Sequence, residues 1–129
     1  MSAKVVIVGA GAAGLMAAAC LTKAGIAVTL IESNPAVGKK ILISGGGRCN
    51  FTNAKASHQE FVSKNPHFSK SSLARYSADD FIDLVKKNNI QFHEKKLGQL
   101  FCDKSAKDIV AMLLNQCNRS LLDLRLSTK

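Results

Sequence analysis

An apolar, β-branched segment near the start of the chain predicts a buried strand. Lys4 to Val8 reads Lys-Val-Val-Ile-Val, which is typical of a strand buried on both faces. A glycine-rich turn follows, and Leu15 to Ala24 is rich in the strong helix formers Ala, Leu and Met. A second β-branched run, Ile26 to Ile31, ends at Glu32. The order strand, turn, helix, strand predicts an α/β fold that opens with a βαβ unit.

The rest of the chain predicts shorter elements that are joined by longer loops. Because three consecutive glycines do not fit a regular element, the segment Gly38–Asn53 is expected to be a strand or helix end that leads into a loop. The polar residues 54–77 are expected to form a loop with short helical pieces. The later elements are predicted in this order: a helix at Ala78–Lys87, a strand at Ile90–His93, a turn at Leu97–Gln99 before Leu100–Cys102, a helix that begins at Ser105, and a strand at Leu121–Leu126.

Both later helices carry a capping signal. Ser77 precedes the first of them, with acidic residues in the first turn and lysines in the last, as the helix dipole favours. Its buried stripe is predicted to be Phe81, Leu84 and Val85. Ser105 with Asp108 has the spacing of a capping box, which predicts a side-chain cap there too.

The glycine-rich turn has the spacing of a dinucleotide-binding site. Gly9, Gly11 and Gly14 stand as GxGxxG directly after a predicted strand and at the start of a predicted helix, which is the context that makes this pattern informative. Gly9 allows the tight turn, Gly11 lets the backbone approach a pyrophosphate, and Gly14 lets the helix pack closely. The amides at the helix start, that of Ala13 included, would face the phosphates. Glu32 would accept hydrogen bonds from the adenosine ribose hydroxyls. NADP is disfavoured because the Glu32 carboxylate would repel its 2′-phosphate.

A second glycine-rich loop helps to separate FAD from NAD. Ser44 to Arg48 reads Ser-Gly-Gly-Gly-Arg, and such a loop can form a backbone nest for an anion while Arg48 grips a phosphate with two donors. A pyrophosphate that is contacted from two loops fits a permanently held FAD. The alternative is a flexible surface loop without a ligand.

Three stretches resemble one family of bacterial flavoproteins, the HI0933-like or aminoacetone-oxidase-family FAD-binding proteins. They are VGKKILISGGGRCNFTN at Val37–Asn53, NPHFSKSSLARYSADDFIDLV at Asn65–Val85, and FHEKKLGQLFCDKSAKDIVAMLL at Phe92–Leu114. The resemblance implies FAD as the cofactor and a Rossmann-like three-layer FAD-binding fold. The candidate cofactor contacts in and around the second glycine-rich loop are Lys40, Gly46, Gly47, Arg48 and Asn50. The resemblance also implies a protein about three times as long, so residues 1–129 are expected to be the N-terminal part of an FAD/NAD(P)-binding domain that is incomplete at its C-terminus.

Two functions remain open at this point. The first is a flavoprotein oxidoreductase, present as its N-terminal portion, that passes a hydride through the flavin to or from a small organic substrate, with NAD(P)H as a possible electron donor. In such an enzyme the flavin does the redox chemistry, and we assign no catalytic acid or base. The alternative is a non-catalytic Rossmann module that binds NAD or ADP. Whether a chain of this length turns over a substrate is left open, as is its oligomeric state.

The charge adds a third hypothesis, a basic nucleic-acid-binding protein. The formal net charge is +9, which suits an anionic partner. The basic residues are scattered, there is no Trp and only one Tyr, and no nucleic-acid-binding motif is recognised. We therefore expect a solvated basic surface, with neither a nucleic-acid nor a membrane partner.

The cysteines and histidines predict no metal site. The four cysteines form no CxxC pair, and a reduced, cytoplasmic setting is the simplest interpretation. His58, His67 and His93 lie far apart in the sequence. Cys49 follows Arg48, whose charge could lower the pKa of the thiol, although a small packed residue is the favoured interpretation. Arg75 and Tyr76 could face the substrate side, although a surface helix is an equally good interpretation of their segment.

Overall fold

The computed structural model describes residues 4–129, which form two small sheets and five α-helices. In chain order these elements are β1 (Lys4–Val8), α1 (Ala12–Lys23), β2 (Ala27–Ile31), α2 (Lys39–Ile43), β3 (Asn50–Asn53), α3 (Lys70–Arg75), α4 (Ala78–Lys87), β4 (Phe92–Glu94), β5 (Gln99–Cys102), α5 (Lys107–Gln116) and β6 (Leu122–Arg125). None of these helices is both long and apolar enough to cross a bilayer.

The first sheet is parallel and has the order β1-β2-β6. The βαβ unit β1-α1-β2 and the last strand are as predicted, with boundaries that shift by one to three residues. Gly25, with a φ of +80°, lies two residues beyond the last residue of α1 and ends the helix in a left-handed conformation. The α/β, Rossmann-like fold class is confirmed.

Strand β1 departs from its prediction. It lies at the edge of the parallel sheet, and Val6 and Val8 are 60% and 83% exposed. The prediction that β1 is buried on both faces is therefore wrong within residues 4–129. Val5 and Ile7, which alternate with these two valines, pack against the core on the opposite face.

Helix α1 packs on the parallel sheet with one face and on α5 with another, and α5 also contacts α2. This region contains five of the most deeply buried side chains, which are Leu15 from α1, Val28 and Leu30 from β2, and Ile109 and Leu113 from α5. The buried Thr22 hydroxyl donates to the Ala18 carbonyl at 2.8 Å and accepts from the Asn118 amide at 3.0 Å. This pair of hydrogen bonds joins the end of α1 to the segment that leads into β6.

The second sheet is antiparallel, with the order β3-β5-β4. Phe51 on β3 packs against Phe81 on α4 and Phe92 on β4, with ring centroids 6.0 and 5.4 Å apart. The sequence predicted a loop where β3 lies. That prediction is wrong because this polar four-residue strand pairs with β5, whose residues lie almost fifty positions further along the chain.

The two predicted helix caps have different outcomes. Ser77 and Asp80 form a complete capping box at the start of α4, in which the Ser77 hydroxyl accepts from the Asp80 amide at 3.2 Å. Ile82, which lies outside the predicted stripe, is buried together with Val85. At α5 the capping-box prediction is wrong, because the Ser105 hydroxyl accepts from the Lys107 amide at 3.1 Å and makes no reciprocal pair with Asp108.

Candidate functional site

The turn between β1 and α1 packs so closely against the first turn of α1 that only glycine fits at position 14. Gly9 has a φ of +98°, and its amide donates to the Ile31 carbonyl at 2.7 Å, which ties the turn to β2. A Cβ at Gly14 would lie 3.0 Å from the Gly9 carbonyl carbon and would overlap its oxygen. A Cβ at Gly11 would meet no atom within 4 Å. Gly14 is therefore needed for packing, whereas Gly11 borders open space in which a ligand can approach the backbone.

The start of α1 offers hydrogen-bond donors to an anion. The first hydrogen bond of the helix is donated by the Leu15 amide to the Gly11 carbonyl at 2.9 Å. The amides before Leu15 have no intrahelical acceptor and point out of the helix end. No acidic residue stands in the first turn of α1, so nothing there opposes the helix dipole in holding a phosphate.

Glu32 lies beside this turn as an ionised carboxylate. Its Oε2 accepts from the Ala10 amide at 2.9 Å, and its Oε1 accepts from the amide and side-chain nitrogens of Asn34 at 2.8 and 2.7 Å. These hydrogen bonds, the one from the Asn34 backbone first, lower the pKa of Glu32 to about 2. Oε2 has a single protein donor and keeps capacity for a ligand hydroxyl.

A cleft of about 550 Å³ opens beside the start of α1. It brings together three of the predicted cofactor contacts, Ala13, Lys40 and Asn50. Among the wall residues that the structure describes, Lys40 is the one with a charged side chain. The rest of the wall is largely apolar and includes Met16, Ile41, Phe51, Phe81 and Leu113. Such a wall suits a planar aromatic group better than a hydrated polar one.

The second glycine-rich loop is held by hydrogen bonds to later parts of the chain. Gly45, Gly46 and Gly47 all have positive φ, between +57° and +85°. A Cβ at Gly45 would lie 2.8 Å from the ring of Phe101. The Gly47 carbonyl accepts from the Ala106 amide at 2.8 Å. The loop therefore packs as a left-handed turn against β5 and the start of α5, which does not fit the alternative of a flexible surface loop.

Arg48 lies apart from the cleft. Its guanidinium donates to the Asp103 carbonyl at 3.0 Å and borders a separate hollow of about 270 Å³ together with Gly46, His93 and Phe101. Five of the predicted contacts thus lie in two separate hollows. Ala13, Lys40 and Asn50 share the cleft, whereas Gly46 and Arg48 face the other hollow.

Cys49 does line the cleft, but it is not an activated thiol. The residue is buried, and burial raises the pKa of its thiol, only partly offset by a hydrogen bond with Ser44. The burial matches the favoured interpretation of Cys49 as a small packed residue, and loss of solvation, not the charge of Arg48, determines the direction of its pKa shift.

Several wall residues were missed by sequence reasoning. Met16 was treated as part of a helix-forming run, and Phe51 as part of a loop. Tyr76, for which the substrate side and a surface helix were both open, lines the cleft, and burial raises the pKa of its hydroxyl. Arg75 is not among the wall residues. Met16 and Phe51 meet only because α1, β3 and α4 fold against one another. No local sequence pattern predicts that these two residues line the same cleft.

The donor set fits a flavin dinucleotide. The turn and the start of α1 supply amides for a pyrophosphate, and Glu32 supplies an acceptor for ribose hydroxyls. The apolar cleft that adjoins the same helix end supplies space for a ring system. ADP and NAD would use the first two features equally well.

Comparison with known proteins gives the same fold. The family described as "HI0933-like protein Rossmann domain" matches residues 3–129. The chain is 52% identical over 124 residues to the "Ribosomal RNA dihydrouridine synthase" of Escherichia coli (strain K12), covering 96% of this chain and 31% of that protein. It is 32% identical over 79 residues to the "3-dehydro-bile acid delta(4,6)-reductase" of Clostridium scindens, covering 60% of this chain and 19% of that protein. The chain thus spans less than a third of the length of these relatives.

A solved structure supports the fold alone. The crystal structure of Thermovibrio ammonificans THI4 superposes with a TM-score of 0.57 at 17% identity, covering 97% of this chain and 38% of that one.

Proposed function

The chain belongs to the HI0933-like family, and from that premise we propose that it is the FAD-binding, N-terminal portion of a flavoprotein oxidoreductase that reduces uracil in ribosomal RNA. One observation carries the FAD assignment: the GxGxxG turn, Glu32 and the apolar cleft all lie at the start of α1. Ribosomal RNA as the substrate is supported by the name of the 52% identical relative. This substrate replaces the expectation of a small molecule and of no nucleic-acid partner.

The residues at the start of α1 and in the cleft have proposed tasks. The amides that follow Gly11 hold the pyrophosphate, with Gly14 keeping the helix close enough to present them. Glu32 binds the adenosine ribose through Oε2. Lys40 and Asn50 face the cleft, where Lys40 offers a positive charge to the cofactor.

The chemistry itself is the reduction of one double bond. Dihydrouridine differs from uridine by two hydrogens across C5 and C6, so one hydride and one proton are added. FAD, when bound and reduced, supplies the hydride, and NAD(P)H is proposed as the source of the electrons. The residues of this chain bind and orient the cofactor, and the apolar wall of the cleft limits water at it. The remaining two thirds of the relatives' length are proposed to complete the catalytic site. A ribosomal RNA substrate would place the protein in the cytoplasm, which its four free cysteines fit.

A chimera tests the proposal. Residues 1–129 would replace the matching portion of the Escherichia coli relative in a strain that lacks that enzyme, and dihydrouridine in ribosomal RNA would be measured by mass spectrometry of nucleosides. We expect the modification to be restored and the Glu32→Ala chimera to restore less of it. A chimera that is folded and yellow yet leaves ribosomal RNA unmodified would overturn the substrate. A folded but colourless one would overturn the cofactor.

A further inference from the structure

The segment 57–76 holds three of the seven Phe and Tyr residues of the chain, and all three are exposed. Phe61, Phe68 and Tyr76 are 47%, 68% and 43% exposed. The other four aromatic residues pack against neighbouring rings, Phe51 with Phe81 and Phe92 in the interior and Phe101 with His93. Exposed rings that cluster in one segment mark a contact surface more often than a structural one. We call residues 57–76 the rim.

The charge of the rim is positive. Its cations are Lys64, Lys70 and Arg75, all exposed, and its one carboxylate is Glu60. That carboxylate is already bonded to Ser57, from whose amide it accepts at 2.7 Å. With three cations and one carboxylate, the rim has a formal charge of +2.

The rim adjoins the cleft through shared residues. Phe61 and Tyr76 both line the 550 Å³ cleft. Phe61 also lines a second hollow of about 370 Å³, together with His58, His67 and Lys70. Phe61 thus separates the cofactor cleft from a hollow that carries a cation and two imidazoles.

We propose that the rim binds single-stranded RNA, with Lys64 and Lys70 on the phosphates and Phe61 stacked on a base at the mouth of the cleft. This rests on the proposed function and names the surface by which that substrate is held. Cations interleaved with exposed rings are the arrangement that binds single strands. Protein-protein interfaces are depleted in lysine, so a protein partner fits this surface less well.

The test compares two variants of equal charge. Lys64→Gln/Lys70→Gln changes the rim, and Lys86→Gln/Lys87→Gln changes the exposed last turn of α4; each lowers the formal net charge from +9 to +7. Binding of a fluorescent oligouridine of about 12 nucleotides to the 129-residue chain would be followed by anisotropy at several salt concentrations. The rim variant is expected to lower the slope of log affinity against log salt by about 1.4, since each phosphate contact on a single strand contributes about 0.7. The control is expected to leave the slope unchanged.

A third variant tests the stacking. Phe61→Leu keeps an apolar side chain and removes the ring, and we expect it to weaken binding at least about fivefold. Equal loss in the rim and control variants, or binding that none of the variants alters, would overturn the proposal, as would RNA that does not bind at all. FAD absorbance is measured on the same samples. A chain that binds FAD but not RNA contradicts the rim alone, whereas one that binds RNA at the rim without FAD contradicts the proposed cofactor and leaves the rim supported.

Discussion

Replacing Gly14 by alanine is expected to destabilise the protein even though alanine is the better helix former. In an open helix the change would stabilise by about 1 kcal/mol. Here the new methyl group would overlap the Gly9 carbonyl oxygen. That oxygen belongs to a turn whose amide is bonded to Ile31 at 2.7 Å, so it cannot move aside without breaking the link between β1 and β2. An overlap of this kind costs about 3 kcal/mol, which leaves Gly14→Ala less stable by about 2 kcal/mol.

Gly11→Ala is the matched control for this prediction. A Cβ at that position meets nothing within 4 Å, and the φ of −83° is open to alanine. We expect a loss of stability under about 1 kcal/mol, from the weaker N-cap alone, but a clear loss of ADP affinity because the methyl group occupies the phosphate approach. Urea unfolding and thermal melts would measure stability, with a midpoint about 8 °C lower for Gly14→Ala. If Gly14→Ala proves as stable as the parent, or if both variants lose stability equally, the close packing of the turn is refuted.

Three further predictions concern charge, capping and thiols. Hydrogen bonds lower the pKa of Glu32 from 4.5 to about 2, so the stability that its carboxylate contributes is complete above pH 4.5 and is lost as the pH falls towards 2. The urea midpoint of Glu32→Gln should therefore fall less steeply than that of the parent between about pH 4.5 and 2. Parallel pH curves for the two proteins would contradict this prediction. Ser77→Ala should cost about 1 kcal/mol in urea unfolding because it removes the cap of α4, whereas Ser71→Ala, an exposed site, should cost little; equal losses would count against the cap. In thiol titration of the folded chain, Cys20 should react quickly and the three buried cysteines only on unfolding; fast reaction of all four would contradict their burial.

Local patterns predicted the part of the fold that depends on local causes. The βαβ unit was predictable because each strand is a continuous β-branched run and the glycines between them have a fixed spacing. The cap at Ser77 was predictable because the donor and acceptor lie three residues apart.

Features that depend on distant partners could not be predicted. The direction of Arg48 is set by the Asp103 carbonyl, 55 residues away. Strand β3 forms because it pairs with β5. The sequence of its four residues, which are polar apart from one phenylalanine, is by itself typical of a loop. The exposure of Val8 follows from the absence of a second neighbour for β1 within residues 4–129, which a β-branched run does not reveal.

Titration of the 129-residue chain with FAD, ADP and NAD in a calorimeter tests the central claim most directly. All three ligands can use the glycine turn and Glu32, but only FAD can also place a flavin in the apolar cleft. We predict that FAD binds more tightly than ADP and NAD, and that Glu32→Ala weakens all three. NAD binding more tightly than FAD, or FAD binding no better than ADP, would contradict the account and favour a nucleotide-binding module without a flavin.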